Sequence, residues 1–539
     1  MKPWSGVAAA LSILSLSSFA NAQSNYRNAP VGGRSQLLGG TGMTYGRDAA
    51  AAFLNPATAI LIDDNRLSFS VNFYTVSFVN APRWYTPGPI DQSKFGDLKI
   101  ESPGMTDLEF NALPSSLCIF FRGGDVAVIE KVKDKRTNDA RFGFCLATIQ
   151  TQTFSFGAEG FSEVTGTNVT RQAQTLAQSY TRFAAGPTWA MNLTNGLAIG
   201  ASIHASLASH RSLLAASATT YGSQPNPINS TFYTGSRGDS FQFDATLGAT
   251  YRTGKQTWGV SLRTPSLHVY GVGGANQQSN YDGVGSATSV VTLGGSFVSR
   301  TPLRLGIGTG VEGKWGLAEF NTFWSPPIDR SYSAELTGQT INTRDNVVDD
   351  RATELTLSEP ARGVVNFGAG LELFLSPKVS LLSGLSTDLS AVKQGALKGG
   401  LFNYYPYRTH RAMASFGIAS HGSGGELMLG GEFSVGWGER LAVNSYQLPP
   451  VIGTTGHGTY QLMIVIAGST SLRAIKRAVE DVTDMVKEPH HTKPRRFDPR
   501  DPEREKAPEL PSMTAPRDDR PDPTTHPLPR PKPALPSPK

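Results

Sequence analysis

The sequence predicts an all-β protein: a transmembrane antiparallel β-barrel of about fourteen strands, with an N-terminal hatch in its lumen and a disordered, proline-rich C-terminal tail. Three observations predict this fold. Short segments alternate large apolar with small or polar side chains, long and short connections alternate between those segments, and the composition is unusual. The chain of 539 residues has 57 glycines but only 17% charged residues, whereas soluble domains carry charge on about a quarter of their residues. A barrel with one face toward lipid fits that composition.

The first 22 residues have the pattern of a cleaved signal peptide. Lys2 gives a basic start, Val7 to Phe19 form an apolar stretch, and Ala20-Asn21-Ala22 is a small-x-small cleavage site. The apolar stretch is too short to cross a bilayer as a helix, although an uncleaved anchor is the alternative. We therefore expect a mature chain that starts at Gln23 and is exported to the outer membrane.

Residues 23–65 precede the first alternating strand and are predicted to form the hatch. They contain Gly40, Gly42, Asp48 and the tripeptide Asn55-Pro56-Ala57. Proline favours extended geometry at the residue before it, and the glycines allow tight turns. A compact segment of this kind can fill a barrel lumen; a periplasmic leader outside the barrel is the alternative.

Residues 66–470 are predicted to form the barrel. In the first strand Leu67, Phe69, Val71 and Phe73 share one face, and Ser68, Ser70, Asn72 and Tyr74 share the other. The same alternation occurs in 197–207, 303–311 and 427–437. Lipid outside and a polar lumen inside produce this pattern, although a β-sandwich with a buried apolar face produces it too.

The connections between strands favour the barrel. Short ones are predicted at Asn192–Asn195, Thr253–Lys255, Arg300–Pro302, Ser376–Pro377 and His421–Gly424, and long ones near 211–238, 271–287, 325–362, 390–408 and 438–459. Outer-membrane barrels have tight periplasmic turns and long outer loops. A split at Gly313-Lys314 gives fifteen strands and breaks this order. Treating 303–324 as one tall strand restores it and gives fourteen, with 123–140 as a long periplasmic connection.

The chain continues past the last predicted strand, Tyr460–Gly468. Apolar residues at three- and four-residue steps predict a short amphipathic helix over 471–488. Residues 489–539 hold 15 of the 35 prolines, and such a segment cannot bury a core. We expect a disordered periplasmic tail, either a tether for a periplasmic protein partner or an inert solvated extension.

Several charged side chains have the parity of the lumen face, namely His204, Arg263, Arg304, Glu312, Glu372, Glu426 and Glu432. We expect them to pair across strands or to be solvated. No nucleotide, zinc or other cofactor motif occurs, and a net charge of +6 gives no case for nucleic acid binding. Cys118 and Cys145 fall in neighbouring predicted strands, and both a disulfide and two unbridged wall residues remain open.

No catalytic residue is assigned. An outer-membrane hydrolase would need a serine next to a histidine, and the sequence offers His204 with Ser202 or Ser206, and His410 with Ser415. Serine and histidine are common enough that we expect no catalysis from either set.

The opening segment resembles the FadL/TodX family of outer-membrane transporters for hydrophobic compounds. The matching residues are Gly39-Gly40-Thr41-Gly42, Asp48-Ala49-Ala50, Asn55-Pro56-Ala57 and the Leu67–Phe73 strand, with a second match at Trp258–Pro265. The resemblance implies a fourteen-stranded barrel with a lumenal hatch and passive uptake of small hydrophobic compounds, such as long-chain fatty acids or aromatic hydrocarbons. It also implies lateral exit to outer-membrane lipid through a gap at a kinked strand. It assigns no substrate-binding residues, and the extended C-terminal tail departs from the family.

Three hypotheses make different structural predictions. A transporter predicts an apolar pocket between hatch and wall, close to an opening in the wall. A non-transporting barrel that acts as a scaffold or shuttle for protein partners predicts a lumen that is blocked and has no pocket. A hydrolase predicts a serine–histidine pair that faces the bilayer.

Overall fold

The computed structural model describes Asn25 and residues 31–62, 64–80, 105–109, 114–123, 140–163, 169–221, 226–282, 286–344, 347–392, 408–422, 424–444 and 451–475. The signal peptide (1–22), most of the 123–140 connection, the helix beyond residue 475 and the tail (489–539) lie outside these residues. Within the described residues, no helix has the length and apolarity to cross a bilayer.

The described strands close into an antiparallel barrel with fourteen wall positions, as predicted. Nine positions hold one strand each: β1 (Arg66–Asn80), β4 (Ala140–Glu163), β5 (Val169–Thr194), β6 (Leu197–Tyr221), β7 (Ile228–Thr253), β16 (Val379–Asp388), β17 (Arg408–Gly422), β18 (Gly425–Asn444) and β19 (Val451–Ser471). Pairing of β1 with β19, from Arg66–Ser471 to Asn80–Gly458, closes the sheet.

The other five wall positions each hold two consecutive strand segments. They are β2 (Met105–Glu109) with β3 (Pro114–Arg122), β8 (Gln256–Arg263) with β9 (Leu267–Asp282), β10 (Ala287–Ser299) with β11 (Arg304–Gly313), β12 (Gly316–Ser325) with β13 (Ile328–Arg344), and β14 (Val347–Ala361) with β15 (Val364–Ser376). Four of these divided positions are neighbours, numbers seven to ten around the wall.

The predicted alternation of outward apolar and inward small or polar side chains is confirmed where the outer face of the barrel is apolar. Ile203 and Leu207 of β6 point outward, at 57% and 47% exposure, whereas His204 and Ser206 between them are buried toward the lumen. The first strand departs from strict alternation, because its register shifts between Asn72 and Tyr74. After this bulge, the buried residue is Thr75.

Treating 303–324 as one tall strand was wrong. Strands β11 and β12 form a hairpin, pairing from Leu305–Trp324 to Gly313–Gly316. The stretch 325–362 is accordingly no loop; it contains β13 and β14, which pair with each other as a further hairpin. The count of fourteen survives because β10 with β11, and β12 with β13, each fill one wall position.

Three of the remaining long connections are also largely strand, and the fourth, 390–408, lies mostly outside the described residues. Residues 211–238 lie in the β6–β7 hairpin, 271–287 in β9–β10 and 438–459 in β18–β19, apart from short stretches outside the described residues. The long loops are thus hairpins that extend the barrel. Four of the predicted short connections lie at the opposite end, but Arg300–Pro302 is an interruption within a wall position, between β10 and β11.

The two cysteines form a disulfide. Cys118 of β3 lies directly opposite Cys145 of β4, and their sulfur atoms are bonded. Both residues face inward and are almost fully buried, which resolves the alternative that the sequence left open.

Candidate functional site: the hatch and the lumen

The described part of the hatch, residues 31–62, lies inside the barrel. It contains α1 (Gly33–Leu37), α2 (Ala50–Phe53) and a 3₁₀ helix, η1 (Pro56–Leu61). Its side chains are nearly all buried; Ala50, Ala51 and Ala52 have no exposed surface. The alanine run packs against the wall around the Cys118–Cys145 disulfide, so small side chains allow the hatch to lie close to the barrel.

Asp48 holds α1 and α2 together. Its carboxylate accepts hydrogen bonds from the backbone N–H groups of Arg34 (3.0 Å), Ser35 (3.2 Å) and Ala50 (2.9 Å). Burial raises the pKa of the Asp48 carboxyl, whereas the N–H groups of Ala50 and Ser35 act in the opposite direction. Asp48 therefore stabilises the hatch by linking α1 to the start of α2.

The Asn55-Pro56-Ala57 tripeptide starts η1 and attaches it to the wall. The Asn55 side chain accepts from the Ala57 N–H and donates to the carbonyl oxygens of Met43 (2.6 Å) and Ala249 (3.2 Å). Pro56 lies at the first position of η1, where its missing N–H is not needed. The tripeptide thus joins two parts of the hatch to strand β7.

Gly40 and Gly42 have positive φ angles, 66° and 147°, which side chains rarely adopt. They shape the loop between α1 and α2. The N–H groups of Gly42 (3.1 Å) and Thr44 (2.7 Å) then donate to the Glu319 carboxylate of β12.

A set of inward-facing wall glycines, which was not recognised from the sequence, seats the hatch. A Cβ atom at any of them would lie 2.0–2.7 Å from a hatch atom, so side chains are excluded there. The set comprises Gly200, Gly248, Gly259, Gly308, Gly310, Gly370, Gly384, Gly417 and Gly430. Glycine at the lumen parity of successive strands was the sequence signal that could have revealed this surface.

Three inward carboxylates pair with arginines of the hatch, whereas other inward charges pair across strands as expected, for example Arg263 with Asp244. Arg34 of α1 forms ion pairs with Glu372 and, at 3.2 Å, with Glu426. Arg47 pairs with Glu312 at 3.4 Å. The Arg34 pairs are buried and the Arg47 pair is partly exposed, so Arg34 is the principal ionic anchor.

A serine–histidine–glutamate chain lies beside Arg34. The Ser380 hydroxyl is 2.9 Å from His421 Nε2, and His421 Nδ1 is 3.3 Å from Glu426. Serine hydrolases use this order of groups. Ser380, however, is fully buried and also donates to Glu372 at 2.7 Å, so the cluster belongs to the hatch anchor.

The serine–histidine sets singled out from sequence do not pair. His204 stacks on Phe53 of the hatch at 4.4 Å, Ser202 bonds to Thr188 and Ser206 accepts from Arg182. Ser415 bonds to the Leu37 carbonyl oxygen, while His410 lies against Arg362 and Ser390. The serines and His204 are buried toward the lumen, whereas His410 has the outward parity of β17 and lies beside Trp437. No group of metal-ligating side chains occurs in the described residues.

Above the hatch, the extended hairpins close the lumen with an apolar cluster, here called the outer closure. The Tyr332 ring of β13 lies 6.0 Å from Tyr180 of β5 and 6.1 Å from Phe297 of β10. Strands β5 and β13 occupy wall positions four and nine, so this contact crosses the lumen. The other members are Ala208, Ala275, Val291, Leu293, Ala334 and Leu336.

A cavity of about 70 Å³ is enclosed by hatch and wall. Its apolar lining includes Val31, Phe53 and Leu54 of the hatch together with Ile149 and Phe323 of the wall. Its polar lining includes three arginines, Arg182, Arg263 and Arg304, and no carboxylate. The pocket that a transporter predicts is therefore present, but it is small and amphipathic.

Arg182 and Arg263 share one acidic partner, Asp244. Asp244 accepts from Arg263 at 2.7 and 2.9 Å and from Arg182 at 3.3 Å. Arg182 is fully buried, and its Nε and Nη1 groups have no hydrogen-bond partner among the described residues. Arg304 donates to the Phe53 carbonyl oxygen and lies over the Phe323 ring.

The wall is irregular where Ile149 meets the cavity. The β4–β5 register shifts between Thr148 and Gln150, so Ile149 forms a bulge. On the other side of β4, the ladder with β3 ends at Ser116–Ala147 within the described residues, although β4 continues to Glu163. A β-bulge thus borders the cavity on this side of the wall.

Fold and site together define a closed β-barrel plugged by an internal hatch. No family model and no curated protein matches the chain. Among solved structures it is similar to CymD, described as a monoaromatic hydrocarbon channel (14% identity, TM-score 0.49, 83% of this chain and 99% of that chain). It is also similar to a Pseudomonas aeruginosa FadL homologue (12%, 0.49, 84% and 99%) and to the P. putida toluene transporter TodX (14%, 0.49, 83% and 99%).

Proposed function

We propose that this protein is a passive outer-membrane transporter of small hydrophobic compounds. Substrate passes from the extended hairpins to the cavity above the hatch and leaves laterally beside Ile149 into outer-membrane lipid. The observation that carries the proposal is the position of the cavity, which lies between Phe53 of the hatch and the bulge in β4. The band of outward-facing apolar side chains supports a membrane location, and the predicted signal peptide supplies the export route.

The cavity favours the fatty-acid class over neutral aromatic hydrocarbons. Arg182 is fully buried and its Nε and Nη1 groups have no hydrogen-bond partner among the described residues, and the N–H groups of a buried arginine are costly to leave unpaired. A carboxylate bonded to Arg182 satisfies those groups, while Phe53, Leu54 and Phe323 contact an apolar chain.

An uptake assay tests the proposal. Cells that express the chain should take up a labelled long-chain fatty acid faster than cells that lack it, and Arg182→Gln should reduce this uptake about tenfold while leaving toluene uptake unchanged. Deletion of residues 31–62 should convert selective uptake into a general leak. Uptake that does not change when the whole protein is removed would refute the proposal.

The second candidate, a non-transporting barrel that scaffolds or shuttles protein partners, is favoured by the size of the cavity. Ligand pockets usually measure about 300–1,000 Å³, whereas this cavity is about 70 Å³. Transport therefore requires the hatch or the outer closure to move. Cross-linking the hatch to the wall separates the two functions, because it should abolish transport and leave scaffolding intact.

A further inference from the structure

One seam of the barrel wall is weakly hydrogen-bonded. Between the eighth and ninth wall positions, strand pairing stops at Ser299–Tyr332 and resumes at Leu305–Trp324. The seam therefore consists of Arg300–Arg304 on one side and Ser325–Ser331 on the other. Among the described residues, one backbone hydrogen bond crosses it, from the Arg300 N–H to the Ser331 carbonyl oxygen at 3.1 Å.

Prolines produce the break. Pro302, Pro326 and Pro327 lie in the seam, and Pro265 lies at the matching level of the seventh wall position. Proline cannot donate to a strand ladder and is largely confined to edges and bulges. Four prolines at one level of three neighbouring wall positions therefore prevent a continuous sheet there.

The seam opens onto the apolar outer surface. Below it the outward residues are apolar, with Ile307 60%, Trp324 42% and Val365 37% exposed. Above it the neighbouring β9 still presents Leu267 and Tyr270, 69% and 65% exposed, whereas β13 presents Glu335. The seam therefore borders apolar residues on the side of β9, and the polar residues of β13 place its other side near the lipid headgroups.

A broken ladder at this level needs a compensating environment. Unpaired backbone groups that face hydrocarbon cost several kcal/mol, and irregular backbone occurs at membrane depth only where it is buried in protein or lines a cavity. The inner side of the seam meets that condition, because Thr301, Pro302 and Ser325 line the same cavity as Ile149. The cavity thus borders both the bulge in β4, at wall position three, and the seam between positions eight and nine.

We propose that this seam is a second lateral port, through which single-chain amphiphiles with an anionic headgroup pass between the outer leaflet and the cavity. The proposal rests on the proposed transport function and adds a membrane source for the substrate. Arg304 lies at the inner side of the port, where its guanidinium meets an anionic headgroup at headgroup depth. The port and the bulge at Ile149 then lie at the two ends of one path, which crosses the barrel through the cavity.

Cysteine labelling in lipid vesicles tests the port without measuring transport. Thr301→Cys, whose parent residue is 8% exposed, should react at least tenfold faster with an apolar maleimide dissolved in the bilayer than with a charged, water-soluble maleimide. Ser386→Cys is the matched control, because Ser386 is 7% exposed and lies in β16 between continuous ladders. Cys118 and Cys145 are bridged and do not react.

The apolar reagent should label Thr301→Cys at least tenfold faster than Ser386→Cys. Equal rates, or labelling of Thr301→Cys from water alone, would overturn the proposal. Heat-modifiable migration establishes that each variant is folded; if Thr301→Cys is not, Ser325→Cys replaces it on the opposite side of the seam. Normal bilayer labelling without uptake would refute transport but not the port, whereas uptake without bilayer labelling would refute the port alone.

Discussion

Gly384 of the barrel wall lies in direct contact with the backbone of Gly39 in the hatch, 345 residues earlier in the chain. A Cβ atom at Gly384 would lie 2.0 Å from the Gly39 backbone nitrogen. Gly39 itself has a φ of 65°, and its N–H donates to Ser415 at 3.2 Å. Neither partner can carry a side chain, so the fit of the hatch depends on glycine on both sides.

Gly384→Ala should therefore displace the hatch. Overpacking a closely packed contact costs about 1–3 kcal/mol, and the contacted atom is backbone, which cannot rotate away. We expect faster proteolysis of residues 31–62 in the folded barrel. Gly294→Ala is the control, because no atom lies within 4 Å of the position that its methyl group would take; equal protease sensitivity of the two variants would contradict the seating role.

Arg34→Gln should loosen the hatch far more than Arg47→Gln. Removing one partner of a buried ion pair costs on the order of 3 kcal/mol, whereas an exposed pair contributes about 1 kcal/mol or less. Arg34 and Glu372 are buried, while the Arg47 side chain is 36% exposed. Hydrogen exchange of amides 33–53 should accelerate on the order of 100-fold in the first variant. Similar exchange in both would show that Arg34 is no special anchor.

Asn55→Ala should destabilise the hatch through two losses. The cap on η1 contributes about 1 kcal/mol, and the two hydrogen bonds donated to Met43 and Ala249 disappear. Asn55→Asp separates the effects, since it keeps the capping oxygen but turns the donor into an acceptor that faces two carbonyls. We expect the aspartate variant to be no more stable than the alanine variant in thermal unfolding. Wild-type stability of Asn55→Asp would mean that the cap alone matters.

The double variant Cys118→Ala, Cys145→Ala should lower the unfolding free energy of the barrel. The disulfide closes a segment with a sequence separation of 27, and disulfides typically contribute about 2–4 kcal/mol. In denaturant unfolding the double variant should have a lower midpoint than the wild type. The wild type should show the same lower midpoint only when a reductant is present during unfolding. An unchanged midpoint would assign the cysteines to packing alone.

The assignment of strand faces could be made from sequence because lipid and lumen impose the same period of two on every strand. Leu427, Leu429 and Phe433 point to lipid as their alternation indicates. Strand partners could not be assigned in the same way. The break at Arg300–Pro302 and the turn at Gly313–Gly316 both interrupt an alternating pattern briefly, and only the pairing of Ser299 with Tyr332 identifies the first as an interruption within a wall position.

The hatch was predicted from its glycine, alanine and Asn-Pro-Ala content, but its contacts were not. Glu372 has lumen parity in the sequence, yet its partner, Arg34, lies 338 residues away. The contacts of the wall glycines likewise could not be predicted from the sequence, because they depend on where the hatch lies in the lumen. Contacts between distant segments leave no local period in a sequence.

The sequence by itself determined the alternation and the approximate number of strands, and it predicts an export signal, because each depends on residues close together in the chain. Tertiary structure alone decided where the hatch is anchored, how the hairpins close over the lumen, and that Ile149 and Pro302 border one cavity. Those relationships arise when a sheet curls into a barrel and brings non-neighbouring strands face to face across a lumen, and that closure, unlike the strand pattern, is a property of the whole chain.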